Sequence, residues 1–103
     1  MQIATGQINF PSIQGSGPQT QNTTVTLGAS VTKAVAILTG FNVEYSGQDD
    51  HHLGLLDVTV AVPPGGINGA NVTVNVSYGL RDWSGSDWDD NYDGSVFFTV
   101  IGE

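Results

Sequence analysis

The residues best suited to chemistry lie in one acidic segment, positions 81–94 (RDWSGSDWDDNYDG). Its only cation is Arg81, and its five carboxylates are Asp82, Asp87, Asp89, Asp90 and Asp93. Like charges so close in sequence repel one another unless solvent or a bound cation screens them. The segment is therefore a candidate cation site or a hydrated acidic turn.

Positions 89–94 (DDNYDG) match the first half of a calcium-binding loop, in which alternate oxygen ligands converge and a glycine permits the sharp turn. The position at which an EF-hand supplies its bidentate glutamate is Val100, and no helices are indicated on either side. An EF-hand is thus excluded, while a calcium loop of another kind stays open. The alternative is a hydrated surface turn capped by its own Asp and Asn side chains. For Ca²⁺, the one candidate cofactor, the ligands would be Asp87, Asp89, Asn91 and Asp93.

Three aromatic residues, Trp83, Trp88 and Tyr92, alternate with these acids. Surface rings can stack on the apolar faces of a sugar while a carboxylate such as Asp82 accepts hydroxyl hydrogens. We therefore expect these four residues to bind carbohydrate. The alternatives are that the tryptophans fold back as a small core within the loop or lie at a protein interface.

A second polar cluster, Asp49-Asp50-His51-His52, separates two strand-like stretches. Adjacent histidines point in opposite directions in an extended chain and form a poor metal pair, so we interpret them as turn histidines hydrogen-bonded to a neighbouring Asp. No nucleophile motif accompanies any serine, and a single small domain offers no evident cleft for a glycosidase pair of carboxylates. We predict that the protein is not an enzyme.

Composition limits the class of protein and its partners. The 103 residues allow one domain, and the absence of cysteine excludes disulfides and thiolate chemistry. Two basic residues against ten acidic ones give a net charge of −8, which repels nucleic acid and anionic membranes. No stretch approaches the roughly 20 apolar residues of a membrane span, so we expect no membrane insertion.

The elements that must position these residues are strands, because Val, Ile, Thr and Gly are abundant whereas Leu, Met, Lys and Arg are few. Short strands separated by Gly and Pro turns are typical of an all-β protein, here a single antiparallel β-sandwich of about six to seven strands over residues 1–103. The pattern contains no helix. We place strands at 2–10, 23–27, 33–45, 56–62, 72–80 and 96–101.

Two of these strands carry a further signal. In 96–101 (VFFTVI) both faces are apolar, so this strand is either central and covered on both sides or part of a subunit interface. In 33–45 the apolar alternation changes phase after Gly40, a residue suited to a bulge. The first of these features supports assembly, and we expect a homo-oligomer, a trimer or higher.

From about Thr23 onward the chain contains, in order, the stretches TVTL, KAVAILTGFNV, NVTVNVSYGL, the turn Trp83-Ser84 and SVFFTVIGE. In this layout it resembles the H-type lectin domain. It implies a carbohydrate-binding protein that assembles as a trimer or hexamer. It assigns no sugar-contacting residue, because the acidic insertion 87–93 departs from that pattern.

Two classes of function follow. One is a non-enzymatic, lectin-like module that binds a carbohydrate or glycoconjugate with the help of calcium. The other is a structural assembly subunit of a filament, virion or surface layer. Both favour an extracellular or virion-associated location.

Overall fold

The chain forms two antiparallel sheets that pack face to face, in a computed structural model that describes residues 1–14, 17–46, 52–83, 88 and 91–103. The strands are β1 (Gln2–Gln14), β2 (Gln19–Thr26), β3 (Ala34–Tyr45), β4 (Leu53–Ala61), β5 (Ile67–Asn68), β6 (Asn71–Asp82) and β7 (Asn91–Gly102). Sheet A has the strand order β1-β7-β3 and sheet B the order β2-β6-β4, with β5 also paired to β6. The predicted all-β sandwich is confirmed. No described helix is long and apolar enough to cross a membrane.

Several strands are longer than the sequence pattern indicates. β1 runs through Pro11 because it lies at the edge of sheet A, and the register with β7 shifts between Phe10 and Ile13 at this proline. β7 begins at Asn91, five residues before the predicted start, and β5 was not predicted at all. The phase change in β3 is confirmed as an irregularity between Leu38 and Gly40.

The core lies between β6 and β7, the central strands of the two sheets. Alternate side chains of each strand point inward, and each fully buried Val or Phe contributes about 1.5–3 kcal/mol relative to exposure. The outer side of β6 is polar and bonds across to β2, for example through the Thr20 and Ser77 hydroxyls at 2.9 Å. The buried side chains of these two strands are Val72, Val74, Val76, Tyr78, Leu80, Tyr92, Val96, Phe98 and Val100.

The two lateral sides of the sandwich differ in how well they are closed. On the side where β1 packs on β2, Ile8 and Phe10 are 6% and 2% exposed. On the side where β3 packs on β4, the inward-facing Leu38 and Phe41 remain 37% and 43% exposed. We call the β3/β4 side the open side.

Charge is also unevenly distributed along the molecule, which is 47 Å long and 21 Å by 17 Å across. Glu44, Asp82 and Asp93 lie at the end of the sandwich where β3 and β6 finish and β7 begins, which we call the acidic end. The connections that follow β3 and β6 contain five further acids in sequence. At the opposite end Lys33 and Glu103 pair through their backbones.

The tight contact between Gly6 and Phe98 provides a test of the packing of sheet A. A Cβ on Gly6 would lie 2.7 Å from Phe98 Cε2, and the Phe98 ring is fully buried and has no room to move. Gly6→Ala should therefore lower the free energy of unfolding by about 1–3 kcal/mol in urea titrations. The control is Gly40→Ala, because its Cβ would meet its nearest neighbour at 3.9 Å. Equal stability of the two variants would contradict the packing of β1 on β7.

Candidate functional site

Tyr92 lies in the core and not at the surface. It is 1% exposed, and its ring meets Tyr78 edge-on at a centroid distance of 5.1 Å. Phe10 packs on the other side of this cluster, 5.5 Å from Tyr78. The prediction of a surface Tyr92 is wrong because β7 already includes this residue, and strand alternation turns Tyr92 inward together with Val96.

Trp88 also folds back against the sandwich. A Cβ on Gly79 would lie 2.8 Å from its indole Cζ3, and one on Gly17 would lie 2.6 Å from its Cε3. The Arg81 guanidinium carbon stands 5.6 Å from the ring centroid, a cation–π distance. Two glycines that are distant in sequence thus make the space that the half-buried indole occupies.

Trp83 is the aromatic of this segment that faces solvent, with 67% of its surface exposed. Its backbone N–H donates to the His52 carbonyl at 3.2 Å, and the two rings meet edge-on at 6.3 Å. Asp82, the last residue of β6, pairs with Leu53 of β4. Of the four expected sugar-binding residues, the structure therefore presents Trp83 next to Asp82 at the acidic end and withdraws Trp88 and Tyr92.

Asn91 and Asp93 belong to strand β7 and not to a loop. Their side chains share one face of an extended chain, where alternate residues are about 7 Å apart and do not converge as loop ligands do. Asp93 accepts a hydrogen bond from the Ser46 hydroxyl at 2.6 Å. The other proposed ligands, Asp87 and Asp89, lie outside the described residues, as does His51. Among the residues that are described, no three His, Asp or Glu side chains form a metal-sized group.

A pair of carboxylates faces solvent across β3 and β7. Glu44 and Asp93 are cross-strand partners, and Ser12 donates to Ser46, which in turn donates to Asp93. A protonated Glu44 carboxyl donates a hydrogen bond to the Asp93 carboxylate, whereas an ionised one is repelled by it, and both effects raise the pKa of Glu44. Beneath this pair, burial raises the pKa of Tyr78, whose protonated hydroxyl donates to the Asp93 carbonyl at 2.7 Å.

The exposed apolar side chains form a large feature that the sequence motifs do not indicate. Nine large apolar side chains are exposed among the described residues, and six of them lie on β3 and β4, the strands of the open side. The alternation of 33–45 already contained this signal, because apolar residues occupy both phases of that strand. The six residues are Val35, Ile37, Leu38, Phe41, Leu53 and Leu55.

Comparison of the chain with protein-family models, with curated proteins and with solved structures finds no match. The candidate sites therefore stand on the geometry alone.

Truncation of the two tryptophans should change the free energy of unfolding by different amounts. Trp88→Ala removes a half-buried ring from its glycine-lined slot and should lower the free energy of unfolding by about 2 kcal/mol. Trp83→Ala removes an exposed ring and should change it by less than about 0.5 kcal/mol. Urea denaturation followed by far-UV circular dichroism measures both. Similar losses in the two variants would contradict the assignment of Trp83 to the surface.

The Glu44–Asp93 pair predicts a pH-dependent stability. Because the folded state raises the pKa of Glu44, the folded protein holds this proton more tightly than the unfolded chain does. The resulting stabilisation is present below the ordinary carboxyl pKa and is lost as the pH rises through the raised value. In solutions dilute enough to keep the protein monomeric, Glu44→Gln should therefore melt at a slightly higher temperature than the wild type at about pH 7, and this advantage should vanish near pH 4.

Glu103→Gln serves as the control for that measurement, because Glu103 lies at the opposite end of the molecule. A Glu44→Gln effect that is the same at both pH values would contradict the coupling to Asp93.

Proposed function

We propose that the protein is a non-enzymatic assembly subunit that binds other protein chains through its open side. The observation that carries the proposal is the concentration of exposed apolar side chains on β3 and β4. Single exposed apolar residues are ordinary on a protein surface, but several along one edge strand mark an interaction surface. On β3, Leu38 and Phe41 face the gap between the sheets, whereas Val35 and Ile37 lie beside the same edge on the outer face of sheet A.

The backbone of the open side supports the same function. β3 and β4 are the outer strands of their sheets in the described part of the chain, so each has one edge without a neighbouring strand. Edge strands are usually protected from association by charged residues or proline. β3 contains one charged residue, Glu44, β4 contains one, Asp57, and neither contains proline.

The size of the open side fits a stable contact. The molecule is 47 Å long and at least 17 Å across, and a strand of twelve residues such as β3 extends for about 40 Å. A side of these dimensions is comparable to the roughly 800 Å² that each partner contributes to a standard interface. Closing it would also cover Leu38 and Phe41, which the chain's own sandwich leaves half-exposed.

Carbohydrate binding at Trp83 is the second candidate. Its support is the exposed indole beside Asp82 and His52, together with the resemblance to H-type lectins. An indole face and a carboxylate can bind the apolar face and a hydroxyl of one sugar ring. Loss of binding to immobilised glycans in Trp83→Ala, with and without calcium, would distinguish this candidate from assembly.

The assembly proposal predicts concentration-dependent self-association or co-assembly that the open side controls. Val35→Thr combined with Phe41→Thr keeps residues of high β propensity but removes apolar surface, and it should raise the dissociation constant at least tenfold. Sedimentation velocity over a range of concentrations provides the measurement. Because each copy carries a net charge of −8, added salt should strengthen the association of the wild type.

Ile3→Thr is the matched control, because Ile3 is 64% exposed on β1, the edge strand of the other side. An Ile3 variant that dissociates as readily as the double variant would contradict an interface on the open side. The proposal would also be contradicted if the wild type stayed monomeric at all concentrations and salt levels and bound the same partners as the double variant.

A further inference from the structure

We infer that the partner of the open side is a second copy of this chain, whose β3 adds antiparallel to β3 about a twofold axis between positions 38 and 39. This inference rests on the proposed assembly function and names its partner and register. In this register Lys33 of each copy lies opposite Glu44 of the other copy. Three features of β3 and the residue before it favour this alignment.

Charge is the first feature. Lys33 immediately precedes β3 and is one of only two basic residues in the chain, while Glu44 is the only charged residue within the strand. The two positions are symmetric about the midpoint between 38 and 39, so one antiparallel register forms two Lys–Glu pairs. A parallel arrangement would instead bring the two Glu44 side chains together. Glu44 already faces the Asp93 carboxylate, so a cation from the partner also relieves that repulsion.

Side-chain size is the second feature. The same register sets Ala36 opposite Phe41 of the second copy, and both residues face inward in their own sandwich. It also sets Ile37 opposite Gly40 of the second copy, on the outer face. In both of these pairs a large side chain meets a small one, which lets the two strands approach at normal sheet spacing.

The irregularity between Leu38 and Gly40 is the third feature. A bulge changes which face successive residues occupy, so residues that are an odd number of positions apart can share a face across it. Ala36 and Phe41 are such a pair. Without the bulge, this register would place inward-facing residues of one copy opposite outward-facing residues of the other. The bulge interrupts the edge at the symmetry axis, which leaves a regular half-strand on each side for pairing.

The antiparallel arrangement also separates the molecular charge. It places the acidic end of one copy beside the opposite end of the other, where Lys33 lies. Since each chain carries −8, a parallel side-by-side contact would instead set the two acidic ends together and oppose association.

Charge reversal tests the Lys33–Glu44 pairing. Lys33→Glu and Glu44→Lys should each raise the dimer dissociation constant at least tenfold, because each breaks two symmetric pairs. The double variant Lys33→Glu/Glu44→Lys has the net charge of the wild type and should return the constant to within about threefold of it. Sedimentation equilibrium in low salt measures all four proteins. A double variant as weak as the singles would overturn the register.

Cross-linking gives an independent test, because the chain contains no cysteine of its own. Val35 lies opposite Asn42 of the second copy in this register, with both residues on the outer face of sheet A. A mixture of Val35→Cys and Asn42→Cys proteins should form a disulfide-linked dimer under mild oxidation, whereas Val35→Cys mixed with the control Thr5→Cys should not. Equal cross-linking in the two mixtures would overturn the inference.

The outcomes separate this inference from the function on which it rests. In one outcome, the Val35/Phe41 double variant associates more weakly, but the charge-reversed double variant is not rescued and cross-linking is not selective. This outcome would leave the open side as an interface but overturn the β3 pairing. Absence of any association would overturn both.

Discussion

The packing of β6 against β7 is the interaction on which the rest of the structure depends. Nine buried side chains from these two strands form most of the core, and every other long strand hydrogen-bonds to one of them. Because the two central strands hold both sheets together, the outer strands are free to differ in how well they are covered. The asymmetry between the closed and open sides follows from this arrangement.

The described residues cover the two lateral sides of the sandwich unequally. On the closed side, β1 and β2 are near neighbours in sequence and bury Ile8 and Phe10 between the sheets. On the other side, β4 supplies Val58 and Val60, which are only half-buried, and β3 leaves Phe41 partly in solvent. Burial is thus concentrated where the chain needs it to fold, and the remaining apolar surface is available to a partner.

The parts of the fold that could be predicted are those specified by local alternation. The apolar alternation from Val72 to Leu80 predicted a half-buried strand, and Gly40 indicated the change of phase in β3. Both signals lie within a few neighbouring residues. The position of Trp88 could not be predicted, because its slot combines Gly17 with Gly79, more than sixty residues apart in sequence. The start of β7 at Asn91 could not be predicted either, because the acidic composition of 81–94 indicated a loop or turn.

β3 combines the features on which the proposed association of two copies depends. It carries apolar side chains on both faces, has one edge without a neighbouring strand among the described residues, and has opposite charges at its two ends, Lys33 before it and Glu44 near its finish. Exposed apolar edges ordinarily promote indiscriminate aggregation. In the dimer that we propose, a charge at each end of β3, the central bulge and the high net charge disfavour other registers, because those registers leave Lys33 and Glu44 apart or bring like charges together. The same strand can therefore provide both the affinity for a partner and the restriction on how that partner binds.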